Sequence, residues 1–172
     1  LRAFSELQEP LDTLIVDTAA GIADSVITFT QASQEVIVVI CNDPSSLTDA
    51  YALIKVLHRD HGLTRVHVIS NMVGTAKEGR EIYDKLRVVA ERFLDVNLVY
   101  MGCVPHDEWL KRAVRRQHAV VEIYPNCPAS EAFRALVRKI EHWGPPRGAR
   151  GNLEFFVERL VSADAAITGA AA

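Results

Sequence analysis

The sequence predicts an α/β fold, a mostly parallel sheet with flanking helices, ending in a short amphipathic helix after a Pro/Gly linker. Four short runs rich in Ile and Val, over residues 13–16, 36–41, 66–70 and 97–101, lack strict polar alternation and suit strands buried on both faces. Between them lie segments with apolar residues at helical spacing, such as Leu47, Ala50, Tyr51, Ile54 and Leu57. Strand alternating with helix implies parallel pairing through right-handed crossovers.

The first strand ends in Asp17 and opens through Thr18-Ala19-Ala20-Gly21 into a helix. In a nucleotide-binding sheet an acid at that edge can hold a metal-bound water, and Gly21 can bring a backbone N–H to a terminal phosphate. A turn acid that solvates a strand end accounts for Asp17 equally well. The second strand leads through Asn42-Asp43-Pro44 into a helix that Ser45 or Ser46 caps and Gly62 ends. Asp49, early in that helix, favours its dipole.

Ser70-Asn71-Met72 closes the third strand. An Asn amide offers the donor and the acceptor needed to read an adenine edge, although a plain turn residue is the commoner role. Ile82, Leu86, Val89, Ala90 and Phe93 give the next helix an inward stripe. After the fourth strand, the backbone of Gly102-Cys103-Val104-Pro105-His106-Asp107 is placed to flank a base while Asp107 caps a helix over residues 108–117. An irregular stretch follows, then a helix over 130–143 that docks through Phe133, Leu136, Val137 and Ile140. Two prolines and three glycines make residues 144–151 a linker. A helix over 152–161 and a small-residue tail over 162–172, expected to be disordered, complete the chain. Residues 1–143 are expected to form the C-terminal part of one nucleotide-binding domain.

With 172 residues, 49% apolar and 24% charged, the chain is an ordinary globular domain by composition. Its net charge of −3 argues against broad binding to nucleic acid. Cys41, Cys103 and Cys127 are odd in number and have no CxxC spacing, which suits buried thiols in a reducing compartment. His58 and His61 sit in a last helical turn, where charge offsets the dipole more readily than it binds metal. The run Lys111, Arg112, Arg115, Arg116 reads as a solvated helix face before it reads as a phosphate or partner contact. No stretch approaches the ~20 apolar residues of a membrane span. The chain begins at Leu1 and reads as a piece of a longer protein.

Taken together, VDTAAG at 16–21, TDAYALIK at 48–55, RDHG at 59–62, RFLDV at 92–96 and NLEFFVERLV at 152–161 resemble the MinD/ParA class of P-loop ATPases. Within it the similarity is closest to the MinD-like regulators of flagellar number, the FleN/FlhG antiactivators. The resemblance implies that Asp17 is the catalytic switch acid, contacting Mg²⁺ through water and helping to order the attacking water. It makes Gly21 the sensor of the γ-phosphate, Asn71 the adenine reader, and Pro105 with Asp107 the loop beside the base; Asp49 falls at a nucleotide-dependent dimer interface. ATP and Mg²⁺ are the implied cofactors of the intact protein, and an ATP-dependent homodimer its implied state. A flagellar master transcription activator and the inner membrane surface are the implied partners, with a cytoplasmic, peripherally membrane-associated location and no direct nucleic acid contact. The rivals are a DNA-segregation ATPase, which needs a broad basic surface, and a non-catalytic interaction module.

No GxxxxGK[ST] occurs in these residues. That loop and its lysine supply much of the electrostatic stabilisation in phosphoryl transfer, so this chain alone is not expected to hydrolyse ATP. The family's loop-bearing strand lies between those ending at Asp17 and Cys41, so their edges are expected to pair directly or with another chain, or else these residues are only part of what folds. In the last helix, Leu153, Phe156, Val157, Leu160 and Val161 form one apolar side. One copy of so short a helix binds a bilayer marginally, whereas two on a dimer gain by effective concentration. Folding back onto its own domain is the plainer alternative.

Overall fold

Three strands in sequence order, each joined to the next by a helix, make the sheet. The computed structural model describes residues 13–143. β1 (Ile37–Ile40), β2 (Arg65–Val73) and β3 (Asn97–Pro105) pair in parallel in the order β1-β2-β3. α1 (Asp24–Ala32) precedes β1, and α2 (Pro44–His61) and α3 (Ala76–Phe93) are the crossovers. α4 (Glu108–Arg115), α5 (Val120–Ile123) and α6 (Pro128–Ile140) follow β3. The described residues before Glu35 form one unit and those from Glu35 onward a second.

In the first unit the expected strand over residues 13–16 does not form; the segment is irregular, with Leu14 45% and Ile15 84% exposed. A strand persists only where a neighbour takes its N–H and C=O groups. The neighbour that the resemblance assigns to this segment is the phosphate-loop strand, which these 172 residues do not contain. Direct pairing with the second strand does not replace it, because among the described residues β1 pairs with β2 alone. The expected helix after Gly21 is present as α1, and Gly21 itself has φ +99°, where a side chain is disfavoured.

In the second unit the helix ends follow local chemistry. Asp43 caps α2 by accepting from the Ser45 N–H at 2.7 Å, so the cap lies two residues before the expected Ser45. Pro44 occupies the first turn, where a missing N–H costs nothing, and Gly62 closes the helix in the left-handed conformation. Thr75 caps α3 and Asp107 caps α4. The stretch after α4 contains α5, a single turn that helical periodicity cannot reveal in four residues.

Alternation along β2 gives the sheet two working faces. Val66, Val68 and Ser70 are buried toward α3, whose Ile82, Leu86 and Ala90 complete that core. The other face is covered beside β3 by α6, where Met101, Val104, Ala113, Val120, Cys127, Ala129 and Leu136 cluster with Ile69 and Phe133 packed against them. Two buried hydroxyls tie α3 to the strands: Ser70 donates to the Gly79 carbonyl at 2.7 Å, and Tyr83 donates to the Leu98 carbonyl at 2.6 Å. Burial, with the Cys103 thiol beside it, pushes the Tyr100 phenol up to about 12, so this hub stays neutral.

Gly79 permits that close approach. A Cβ there would fall 2.8 Å from the Cys103 Cβ and 2.9 Å from the Tyr100 Oη. Replacing a helical glycine by alanine gains ~1 kcal/mol of propensity, whereas overpacking a core costs ~1–3 kcal/mol. A Cβ on a strand cannot swing aside, so the clash prevails. Gly79→Ala is therefore expected to lower the denaturant midpoint of unfolding; a midpoint equal to or above wild type contradicts this packing.

Candidate functional site

A cavity of about 350 Å³ opens at the C-terminal ends of β2 and β3, the edge at which parallel sheets hold ligands. Asn71 and Met72 come from β2, Pro105, His106 and Asp107 from the end of β3 and its loop, and Leu110, Lys111, Val114 and Arg115 from α4. Both strands run further than their apolar cores suggest. Asn71 and Pro105, expected in turns beyond residues 70 and 101, lie in the β2–β3 ladder, Asn71 opposite Val104 and Val73 opposite Pro105.

That register skips Met72, which has φ +57° and is 57% exposed. For a non-glycine residue the left-handed region costs roughly 1–2 kcal/mol, strain that here sits on a cavity wall. The bulge is closed on the far side by the His106 N–H, which donates to the Val73 carbonyl at 2.9 Å. Among the described residues the Asn71 side chain has no hydrogen-bond partner. Its amide, half-buried at the cavity, is thus available to a ligand with complementary donor and acceptor. Pro105, Met72, Leu110 and Val114 supply apolar surface around it.

Asp107 holds the loop in place. Its Oδ1 accepts from the Trp109 N–H at 2.7 Å, capping α4, and its Oδ2 accepts from the Ala129 N–H at 2.9 Å, satisfying the first turn of α6. Burial pushes this carboxyl up, but the Ala129 and Trp109 N–H groups with the Cys127 thiol outweigh it and hold it below the usual carboxylate range. The wall beyond is positive. Lys111 pairs with Glu108 at 2.9 Å, Arg115 lines the cavity, and Arg112 lies over the Trp109 ring at 4.8 Å. The basic run therefore contributes two residues to the cavity rim, Lys111 and Arg115, with Arg115 still exposed to solvent. Their facing depends on where β3 ends, a length that the sequence pattern understates.

The structure brings Asn71, Pro105 and Asp107 together. Asp49 stands on the exposed side of α2, and Asp17 and Gly21 belong to the first unit, with Asp17 exposed. Leu153, Phe156, Val157, Leu160 and Val161, with the linker over 144–151 and the tail over 162–172, lie outside the described residues. Among the described residues there is no group of three or more His, Cys, Asp or Glu that could hold a metal ion. His58 instead faces the Leu63 carbonyl through Nδ1 at 2.9 Å. No helix among the described residues is long and apolar enough to cross a membrane.

Comparison with known proteins follows the same lines. The ParA family, described as NUBPL iron-transfer P-loop NTPase, matches residues 5–141. The antiactivator FleN of Pseudomonas aeruginosa is 53% identical over 161 residues, 94% of this chain and 58% of that protein. The flagellum site-determining protein YlxH of Helicobacter pylori is 35% identical, over 88% of this chain and 52% of its own length. An uncharacterised ATP-binding protein, MJ0547 of Methanocaldococcus jannaschii, is 29% identical over 81% of this chain and 49% of its own. The chain spans between half and three-fifths of the length of these relatives.

The Asp107 contacts set a pH dependence. A carboxyl whose folded value is depressed stabilises the fold above its unfolded value, near 3.9, and that contribution is lost as pH falls through the folded value. Asp107→Asn can still accept from Trp109 but turns an amide donor on the Ala129 N–H, costing about 1–3 kcal/mol. The variant is expected to unfold more easily at pH 7, with the difference from wild type shrinking below about pH 4. A difference independent of pH contradicts the ionised clamp.

Proposed function

The chain belongs to the ParA family of P-loop NTPases, and we propose that it is the base-reading and output portion of an ATP-dependent regulator of flagellar number and flagellar gene expression. The observation that carries the nucleotide half of this reading is the unpartnered Asn71 amide in a cavity walled by Pro105 and Met72. Adenine presents an amino donor beside a ring-nitrogen acceptor, which one carboxamide can satisfy at once. The apolar groups around it suit the faces of a planar ring, and Lys111 and Arg115 bias the rim toward an anionic ligand.

Asp107 acts here by holding the loop, so that the backbone around Pro105 meets the base. In the first unit, Gly21 has φ +99°; in this reading its backbone N–H serves the γ-phosphate, and Asp17 is the acid that orders the attacking water. Mg²⁺, when bound, would supply charge neutralisation at the phosphates, and Asp17 is the residue that would help to hold it. Hydrolysis needs a phosphate loop, which this chain lacks, so the chain alone binds weakly and does not turn over.

The similarity to FleN and YlxH supports the flagellar half. In this reading ATP joins two copies across the α2 surface that carries Asp49. Two copies of the 152–161 segment, each with Leu153, Phe156, Val157, Leu160 and Val161 on its expected apolar side, then act together on the inner membrane surface. The same dimer restrains a flagellar transcription activator.

The test is equilibrium binding of a slowly hydrolysed ATP analogue to the protein expressed from its complete reading frame. Asn71→Ala is expected to weaken binding roughly tenfold, the worth of about one to two buried hydrogen bonds, and to erode preference for ATP over GTP. Unchanged affinity and unchanged preference in that variant contradict the assignment.

A further inference from the structure

Asn71 and Met72 stand between two anchors on the same strand and its loop. On one side Ser70 is fixed by its hydroxyl on the Gly79 carbonyl at 2.7 Å. On the other, the Gly74 N–H donates to the Glu78 Oε2 at 2.7 Å. The second carboxylate oxygen of Glu78 accepts from the Asn42 Nδ2 at 2.9 Å, across 36 residues of sequence. Asn42 lies in the loop between β1 and α2, so one side chain joins the two crossover loops at the sheet's C-terminal edge. We infer that Glu78, with Asn42, is a positioning residue that fixes the Asn71–Met72 bulge and so sets how the base is read; the inference rests on the role proposed above for Asn71.

A capping box accounts for half of this arrangement: the Thr75 hydroxyl accepts from the Glu78 N–H at 3.1 Å while the Glu78 carboxylate reaches back to the start of the helix. It does not account for the other half, because a capping acid needs no partner in another loop, and Asn42 is one. The bulge itself supplies the reason for an anchor. Met72 at φ +57° is strained, and its relaxation to extended backbone slips the ladder by one residue on one side of it. A one-residue slip exchanges the faces of a strand, which would exchange Asn71 with its neighbours at the cavity. Holding Gly74 beyond the bulge, while Ser70 is held before it, opposes that slip. The Gly74 N–H first and the Asn42 amide second hold the Glu78 carboxyl below its ordinary range, so both contacts are made by a carboxylate at neutral pH.

Binding of ATP and GTP analogues to the protein from its complete reading frame, with melting followed in parallel, tests the clasp. Glu78→Ala is expected to weaken ATP-analogue binding about tenfold, as loss of hydrogen bonds to a charged group implies, and to lower the ATP-to-GTP affinity ratio. Asn42→Asp sets two carboxylates face to face and is expected to do the same. The double variant Asn42→Asp/Glu78→Gln restores complementarity, because the Gln amide can accept from Gly74 and donate to Asp, and its affinity ratio is expected to return toward wild type. A Glu78→Ala protein that melts earlier but keeps the wild-type ratio overturns the inference and leaves a helix-end role. So does a double variant no better than Asn42→Asp. A wild-type protein with no preference for ATP overturns the Asn71 assignment first and the clasp with it, whereas a wild-type preference untouched by Glu78→Ala sinks the clasp alone.

Discussion

The parallel ladder between β2 and β3 is the constraint from which the site follows. Each strand is nine residues long, and their register puts Asn71 opposite Val104 and Val73 opposite Pro105. Adjacent residues of β2 serve opposite faces. Ser70 turns toward α3 and is spent on the Gly79 carbonyl, while Asn71 lines the cavity with no partner of its own. The close approach at Gly79 thus fixes one face of the strand so that the other can be offered to a ligand. Fold and site share a register, and a slip would damage both.

The polar groups around the cavity are divided between holding and reading. Asp107 is ionised and buried, yet its oxygens serve the first turns of α4 and α6, which makes the loop after β3 a fixed wall rather than a mobile one. Glu78 does similar work on the side of β2, at the surface. Asn71, the proposed reading group, is neutral and has no side-chain partner among the described residues. An unpartnered half-buried amide costs stability in the absence of a ligand, and sites of recognition are where such costs are found.

Much of this was legible in the sequence, for physical reasons that differ by element. The Ile/Val runs announced three buried parallel strands because burial on both faces removes alternation. Gly62 and Asp107 were readable as a helix stop and a helix cap because each satisfies an orphan backbone group through its own chemistry. The true ends of β2 and β3 were not, since Asn, Met, Gly and Cys carry little strand signal and the bulge at Met72 depends on Val104 and Pro105 of the neighbouring strand. For the same reason Lys111 and Arg115 looked like a solvated face until the length of β3 set the position of α4. The run over residues 13–16 shows the opposite error: apolar enough for a strand, it lacks in this chain the partner that would make it one.

In the proposed reading, the base of an adenine nucleotide seats between Asn71 and Pro105 at the end of the β2–β3 ladder. A crystal structure of the protein from its complete reading frame with a non-hydrolysable ATP analogue and Mg²⁺ tests it directly. The Asn71 carboxamide is expected within hydrogen-bonding distance of the adenine amino edge, with Met72 still left-handed and the base against Pro105. A base bound elsewhere, with the Asn71 amide turned to solvent, contradicts it.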